Sequence, residues 1–297
     1  MSLLLKLKQT ALQLMNTTET IVTMNSRNLD YVYPSNARRD YPLADDKIKT
    51  KKLLEPQGIA VPKTFAIYSY FYELENIDQM LASLEGFVIK PSQGSGGNGI
   101  LVVIAKKGDL FITAGRKEID LESIKKHIGD IIFGVHSMGM NDVAILEERL
   151  IQHETIEKLS PDGLADIRII CYNKSPALAM MRVATKASDG KANLHQGGIG
   201  IAIDMQTGRT TNAQIKREDI VFHPDSDVNL LDLEIPHWDA VKKLSNQVAL
   251  TVPLNYLGID IALTQKGPMV LEINVRPGIE IQNINKQGMR PLLKELS

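Results

Sequence analysis

The sequence predicts an α+β fold, in which helices and mainly antiparallel hairpins build lobes that meet at a cleft. Three stretches carry that expectation. Residues 87–105 read as an apolar strand, a loop with Gly94, Gly96, Gly97 and Gly99 in six positions, and a second strand, ILVVIA. DIRIICY and ALAMMRVAT flank a turn at Asn173-Lys174-Ser175-Pro176, and GIDIAL and MVLEINV flank another between Thr264 and Pro268.

The elements follow in chain order. SLLLKLKQTALQLM at the start reads as an amphipathic helix, and the lysines at 6 and 8 with no cleavage signature argue against a signal peptide. Residues 25–46 are polar and turn-rich, an irregular approach segment. Asp45-Asp46 can cap a helix from Lys47 to Gln57 that Gly58 ends. Thr64 to Tyr70 reads as strand, Ile77 to Leu84 and Leu121 to Ile128 as helices, and Ala144 to Ile151 begins as a strand. GIGIAIDM is a strand ending at Gln206-Thr207-Gly208, and His237 to Val252 is a helix with Val241, Leu244 and Val248 on one face.

The composition of the 297 residues, 43% hydrophobic and 23% charged, is that of a globular chain, and a formal charge of −1 gives no global attraction to nucleic acid or anionic lipid. The single Cys171 sits inside an apolar run, which suits a buried thiol, a reducing compartment and a cytoplasmic location. No run is apolar for long enough to span a membrane.

The glycine loop supplies backbone freedom and exposed N–H groups, an anion-binding concavity with phosphate as its natural guest. It leads into a strand and not a helix, so it is no dinucleotide fingerprint, and Lys90 precedes the glycines, unlike a Walker loop. His-Arg-Asp and Asp-Phe-Gly stretches of a protein kinase are missing. In the last hairpin, a turn centred on Lys266 sets Asp260 opposite Glu272, with Asn274 on the same face and Ile259, Ile261, Leu271, Ile273 and Val275 on the other. Three hard oxygen ligands on one face suit Mg²⁺. In the middle hairpin, a turn centred on Ser175 sets Arg168 opposite Arg182, and two facing guanidiniums call for an anion between them, either a ligand's or separate acids such as Asp166.

DDKIKTKKLLEPQGIAVP, FVIKPSQGSGGNG, AILEERLI, DIRII, NLHQGGIG, GIDIA and VLEINVRPG follow one another in this order. Over residues 45–285 this series resembles the ATP-grasp carboxylate-amine ligases, and most closely the alpha-L-glutamate ligase (RimK-like) branch. The resemblance implies two α+β lobes gripping ATP: residues 1–45 a short N-terminal helix and approach segment in place of the usual complete domain, 46–146 the N-terminal lobe, and 147–297 the C-terminal lobe with metal and substrate site.

It also implies roles. Lys47 and Lys90 contact the phosphates, and Gly94, Ser95, Gly96, Gly97 and Gly99 close over them. Glu148, Arg149 and Leu150 form the hinge that meets adenine, with Glu147 beside it, and Glu154 (Glu157 second) binds ribose. Arg168, Arg182 and Asn193 line the acyl and phosphate site, and Asp260, Glu272 and Asn274 hold Mg²⁺, with Mn²⁺ as an alternative ion. Arg276 stands where glutamate ligases commonly carry a small residue, and strand alternation sends it to the same pocket, with a salt bridge to Glu280 as the competing reading. His195 is left outside the catalytic set.

The implied activity is an ADP-forming ligase that joins a carboxylate to an amine through an acylphosphate, adding glutamate or another amino acid to a small-molecule amine or a protein tail. An ATP-grasp phosphotransferase and a nucleotide-binding regulatory module are the rival readings. Nucleic acid is not an expected partner, and the oligomeric state is left open, a homo-oligomer included.

Overall fold

Residues 19–94, 96–161 and 163–297 are described by the computed structural model. The expected N-terminal amphipathic helix and Ser95 lie outside the described residues. Before the first sheet, the segment expected to be irregular forms helical turns, among them Met24–Ser26, Arg27–Val32 and Pro42–Asp45. Helix α1 (Lys47–Leu54) follows, and Asp46 caps it by accepting from the backbone N–H groups of Ile48 and Lys49. Gly58, at φ +70°, ends the next turn as a left-handed residue.

The first sheet comprises β1 (Thr64–Tyr68), β2 (Phe87–Pro91), β3 (Leu101–Lys107), β4 (Leu110–Thr113), β5 (Glu118–Ile119) and β6 (Ala144–Glu148), in the order β1-β6-β2-β3-β4-β5 and antiparallel throughout. Alternation divides its strands. Phe87, Ile89, Val103 and Leu146 enter a core with Ile77 and Leu81 of α2 (Ile77–Ala82) and Ile124, Ile128 and Ile131 of α3 (Leu121–Ile132). Lys90 and Glu147 point to the opposite face.

The second sheet comprises β7 (Asp166–Tyr172), β8 (Ser175–Val183), β9 (Ile199–Ile203), β10 (Thr210–Ile215), β11 (Glu218–Ile220), β12 (Tyr256–Thr264) and β13 (Gly267–Asn274), in the order β11-β10-β9-β8-β7-β12-β13. Helix α4 (Glu154–Leu159) lies between β6 and β7 in the chain. One face, with Ile167, Ile169, Met181, Ile201, Ile259 and Ile273, packs against Val241, Leu244 and Val248 of α5 (Trp238–Thr251). The opposite face carries Glu272, Asp260, Arg168, Asp166 and Arg182 in adjoining register positions. Farther along that face Tyr31 packs against Tyr172 and Tyr256, with centroids 5.6 and 6.0 Å away, so the N-terminal turns cover one end of it. Leu54 and Ile59 belong to this larger core, so α1 packs with the second sheet.

Both expected hairpins form, with differences in register. The β12–β13 turn is the two-residue Gln265-Lys266, and a bulge opposite Asp260 and Ile261 keeps Asp260 facing Glu272. The extra residue is Leu271, so the half-buried Leu271 leaves the core position expected for it to Val270, which is 1% exposed. In the β7–β8 hairpin the turn is Asn173-Lys174, both at positive φ (44° and 69°), and a bulge lies at Ile170/Cys171. Arg182 therefore faces Asp166, and Arg168 faces Met180. The expected Arg168–Arg182 opposition is corrected by this two-residue shift.

Phe87 is fully buried and meets the Phe111 ring edge-on at 5.8 Å. Phe87→Ala should destabilise the chain by about 3–5 kcal/mol, read from urea unfolding; an unchanged midpoint would contradict its place in the smaller core.

Candidate active site

The side chains facing the space between the sheets form three charged groups. In the first, Glu147 is 4% exposed and sits between Lys51 Nζ at 2.6 Å and Lys90 Nζ at 2.5 Å. Burial alone would raise the Glu147 pKa, but the two ammonium groups outweigh it and hold the carboxyl below its ordinary value. Lys51 Nζ also donates to Pro62 O at 2.6 Å and Thr64 Oγ1 at 2.8 Å. Burial lowers the Lys51 pKa, with Glu147 opposing that shift. Lys51 was missed in the sequence, although it lies one helical turn after Lys47 and shares its face of α1.

The second group is the glycine loop. Gly96, Gly97 and Gly99 have φ of +67°, +78° and +76°, and a Cβ on Gly99 would lie 2.6 Å from His136 Cγ. Here the glycines are required by backbone shape. The base of the loop is fastened to the start of α1: Ser92 Oγ donates to Asp46 Oδ1 at 2.7 Å, and Lys47 N–H to Ser92 O at 3.2 Å. Lys47 Nζ donates to Gly94 O at 2.8 Å and lies 3.4 Å from Glu272 Oε2 of the second sheet. Across the cleft, Asn193 Nδ2 donates to Gly96 O at 3.2 Å, while its Oδ1 accepts from His195 N–H.

The third group is a buried ion network. Arg168 grips Asp260 with Nε and Nη2 at 2.7 and 2.6 Å; Arg182 grips Asp166 with Nε and Nη2, both at 2.7 Å, and shares Nη2 with Asp260 Oδ2 at 2.7 Å. The anion between the two arginines is thus the protein's own Asp260. Burial works against its charge, but Arg168 and Arg182 outweigh that and hold the carboxyl well below the usual range. Burial, helped by the neighbouring Asp260 charge and opposed by Arg182, pushes Asp166 up to about 6. Among the described residues, neither arginine's Nη1 has a hydrogen-bond partner, which leaves the two N–H groups of that nitrogen free for a ligand on each guanidinium.

Asp260 does not face Glu272 as a bare carboxylate: Oδ2 accepts from Arg168, Arg182 and, at 3.3 Å, Asn274 Nδ2. Among the described residues no cluster of three or more His, Cys, Asp or Glu is arranged for a metal. The donor chemistry nevertheless fits a hard cation through half-buried Glu272 and the Asn274 amide oxygen, with Asp260 behind them. As Asn274 gives its Nδ2 to Asp260, its oxygen is left for another partner.

Arg149 and Leu150 follow the end of β6, and Gln152 already bridges to Thr264 of the second sheet, so residues 148–152 carry the chain between lobes. Glu148 closes the near end, its Oε1 accepting from Lys63 N–H at 2.8 Å. Glu154 is exposed at the start of α4, whereas Glu157 accepts from Gln152 Nε2 at 2.7 Å. Arg276 is exposed and stacks over Tyr41 at 5.4 Å; Glu280 instead meets Arg217 at 3.2 Å, so the competing Arg276–Glu280 bridge does not form.

The paired antiparallel sheets, glycine hairpin and acidic last hairpin are those of the ATP-grasp fold. The chain belongs to the family described as "Sugar-transfer associated ATP-grasp", whose profile matches residues 26–297. It is similar to a probable alpha-L-glutamate ligase 2 of Pseudoalteromonas atlantica, 25% identical over 79% of this chain and 56% of that protein. It is also similar to the ribosomal protein bS6–L-glutamate ligase of Salmonella paratyphi B, 24% identical over 84% of this chain and 61% of that one. The chain therefore spans less than two thirds of either relative. Among solved structures, phosphoribosylamine–glycine ligase from Thermotoga maritima shares the fold, with a TM-score of 0.52 at 16% identity over 88% of this chain and 56% of that one.

Lys51 and Lys90 share Glu147 unequally, since Lys51 serves three acceptors and Lys90 Nζ pairs with Glu147. Lys51→Met should cost about 3–5 kcal/mol and Lys90→Met distinctly less, compared by urea unfolding. The reverse order would refute Lys51 as the anchoring cation.

Proposed function

We propose that the chain is an ADP-forming carboxylate-amine ligase that uses Mg-ATP. The observation that carries the reading is Lys47, whose ammonium lies 2.8 Å from Gly94 O of the glycine loop and 3.4 Å from Glu272 of the last hairpin. One cation thus joins the candidate phosphate loop to the candidate metal ligands, where a triphosphate would need both.

In this reading Lys47, Lys90 and the N–H groups of Gly94 to Gly99, Ser95 included, hold the phosphates. Residues Glu148 to Leu150 frame the base beside Glu147, and Glu154, exposed just beyond the crossover, takes the ribose. Glu272 and the Asn274 oxygen hold Mg²⁺ or Mn²⁺, with Asp260 as the buried third member. The metal's chemistry is charge neutralisation on the transferring phosphate. Arg168 and Arg182, locked by Asp260 and Asp166, offer their remaining Nη1 donors to the phosphate or the acyl carboxylate. Asn193 latches the opposite side onto the loop. A substrate carboxylate oxygen attacks the γ-phosphorus as the bond to ADP breaks. An amine nitrogen then attacks the acyl carbon, phosphate leaves, and the nitrogen loses its proton. Positioning and charge stabilisation are what such transfers require, and a loop latched across the cleft keeps water from the acylphosphate.

The glutamate-ligase relatives make amino acids and peptide or protein tails the first substrates to try, and the family's association with sugar transfer adds amino sugars as acceptors. Incubation with Mg-ATP and this panel, followed by mass spectrometry, tests the reading. An amide product with ADP supports it; a phosphorylated acceptor without an amide points to phosphotransfer; ATP binding without turnover points to a regulatory module.

Glu272→Gln should keep the fold and lower ADP release by at least about 100-fold, the loss expected when several kcal/mol of charge stabilisation is removed. Wild-type release would defeat the metal assignment.

Arg276→Met keeps much of the stem over Tyr41 and removes an exposed charge two residues beyond Asn274. The expected result is a Michaelis constant for the acyl substrate raised by roughly 10-fold, the scale of one charge-assisted contact, with nucleotide affinity kept. Unchanged kinetics would leave Arg276 as a surface residue.

A further inference from the structure

A second cleft, of ≈ 360 Å³, opens near the outer edge of the larger sheet, between the β10–β11 turn and helix α6 (Glu280–Ile284). Its volume is at the small end of ligand pockets, which run from about 300 to 1,000 Å³. That suits a metabolite of amino-acid size.

The charges at its mouth have opposite signs. Lys216 and Arg217 are the two residues of a tight turn, with Ile215 paired to Glu218, and both have positive φ, 49° and 71°. Such a turn favours Asn-Gly, and two long cationic side chains there carry a backbone cost. Both line the cleft. Arg217 Nη2 reaches Glu280 Oε1 at 3.2 Å, so a guanidinium and a carboxylate meet at the cleft. The floor is apolar: Leu194 and Ile284 line it, and a Cβ on Gly200 would lie 2.2 Å from Ile284 Cδ1.

The cleft is also coupled to the candidate active site. His195 lines it, two residues after Asn193, whose amide holds Gly96 O of the glycine loop. Gln214 lines it too, and faces Gly200, which faces Arg182. Directly paired residues share a sheet face, so Gln214 and Arg182 are two strand spacings apart on one face, about 10 Å.

We propose that this cleft binds the zwitterionic head of a free α-amino acid, the carboxylate on Lys216 and Arg217 and the ammonium on Glu280. The Arg217–Glu280 pair stands in for the ligand's own charges when the cleft is empty. With both charges of the head engaged, the new bond forms at a third group, a side-chain carboxyl or amine directed towards Arg182. The substrate role rests on the ligase reading; the binding does not.

Calorimetric titration of the full chain with L-glutamate, L-aspartate, L-lysine and L-ornithine, and with the N-acetyl and α-methyl ester forms of each, tests the site. At least one free amino acid should bind, with its capped forms at least about 10-fold weaker. Arg217→Gln and Glu280→Gln should each weaken that binding by a similar factor and leave ATP affinity unchanged. Binding by none of the free amino acids, equal binding of the capped forms, or unchanged affinity in both variants overturns the proposal. Preferred binding of a peptide through its C-terminus overturns the assignment to a free amino acid. Amide formation that both variants leave at wild-type Michaelis constants refutes the site and spares the ligase reading. Amino-acid binding that both variants lose, with no amide formed from any substrate, refutes the ligase reading and spares the site.

Discussion

The buried network of Arg168, Asp260, Arg182 and Asp166 is the constraint on which the rest of the cleft depends. Four charges share one face of the larger sheet, and each carboxylate oxygen has a guanidinium donor at 2.6–2.7 Å. A network of this kind adds little net stability, but losing one member leaves a buried charge uncompensated. The sign balance then propagates outward. Asp260 and Glu272 oppose each other across β12 and β13, an arrangement that repels when both charges are bare. It stands because Asp260 is neutralised by the arginines and Glu272 has Lys47 nearby.

Helix α1 carries that balance from one lobe to the other. Its apolar residue Leu54 is in the larger core, yet the half-buried Lys47 and the buried Lys51 reach Gly94 of the glycine loop and Glu147 of the smaller sheet. A shift of this helix against the second sheet would therefore move both cations relative to the smaller lobe. Asn193 makes the reciprocal contact, from the larger lobe to Gly96. Lys47 and Asn193 each hold the loop through one hydrogen bond to a carbonyl, and such a bond is weak enough to exchange.

What the sequence discloses depends on the range of the interaction. Periodicity located the helices and strands that bury one face, such as α5 with Val241, Leu244 and Val248, because that signal is local. The Asp260–Glu272 pairing was legible even though the turn is Gln265-Lys266, since the bulge at Leu271 offsets the difference. In the middle hairpin, Pro176 drew the expected turn too far along, and neither the turn at Asn173-Lys174 nor the bulge at Ile170/Cys171 leaves a pattern in residue types. The arginines were identified as a pair needing an anion; the identity of that anion needed β12 beside β7, a contact between residues 92 apart. Lys51 escaped for the same reason, its partner Glu147 being 96 residues away.

In the proposed reading, the asymmetry around Glu147 separates the anchoring cation from the one that would serve a nucleotide. Lys51 is held by Pro62 O, Thr64 Oγ1 and Glu147 Oε2, so moving it would strand three acceptors in a buried place. Lys90 comes from a strand ending at the glycine loop and shares the other oxygen of the same carboxylate. If Lys90 turns from Glu147 to a phosphate, Lys51 still neutralises the carboxylate, and no buried charge is left alone. A single lysine could not do both, because its departure would leave Glu147 bare at 4% exposure. In the proposed reading Lys51 is therefore what would let Lys90 move, and the shared carboxylate would park Lys90 before a nucleotide arrives.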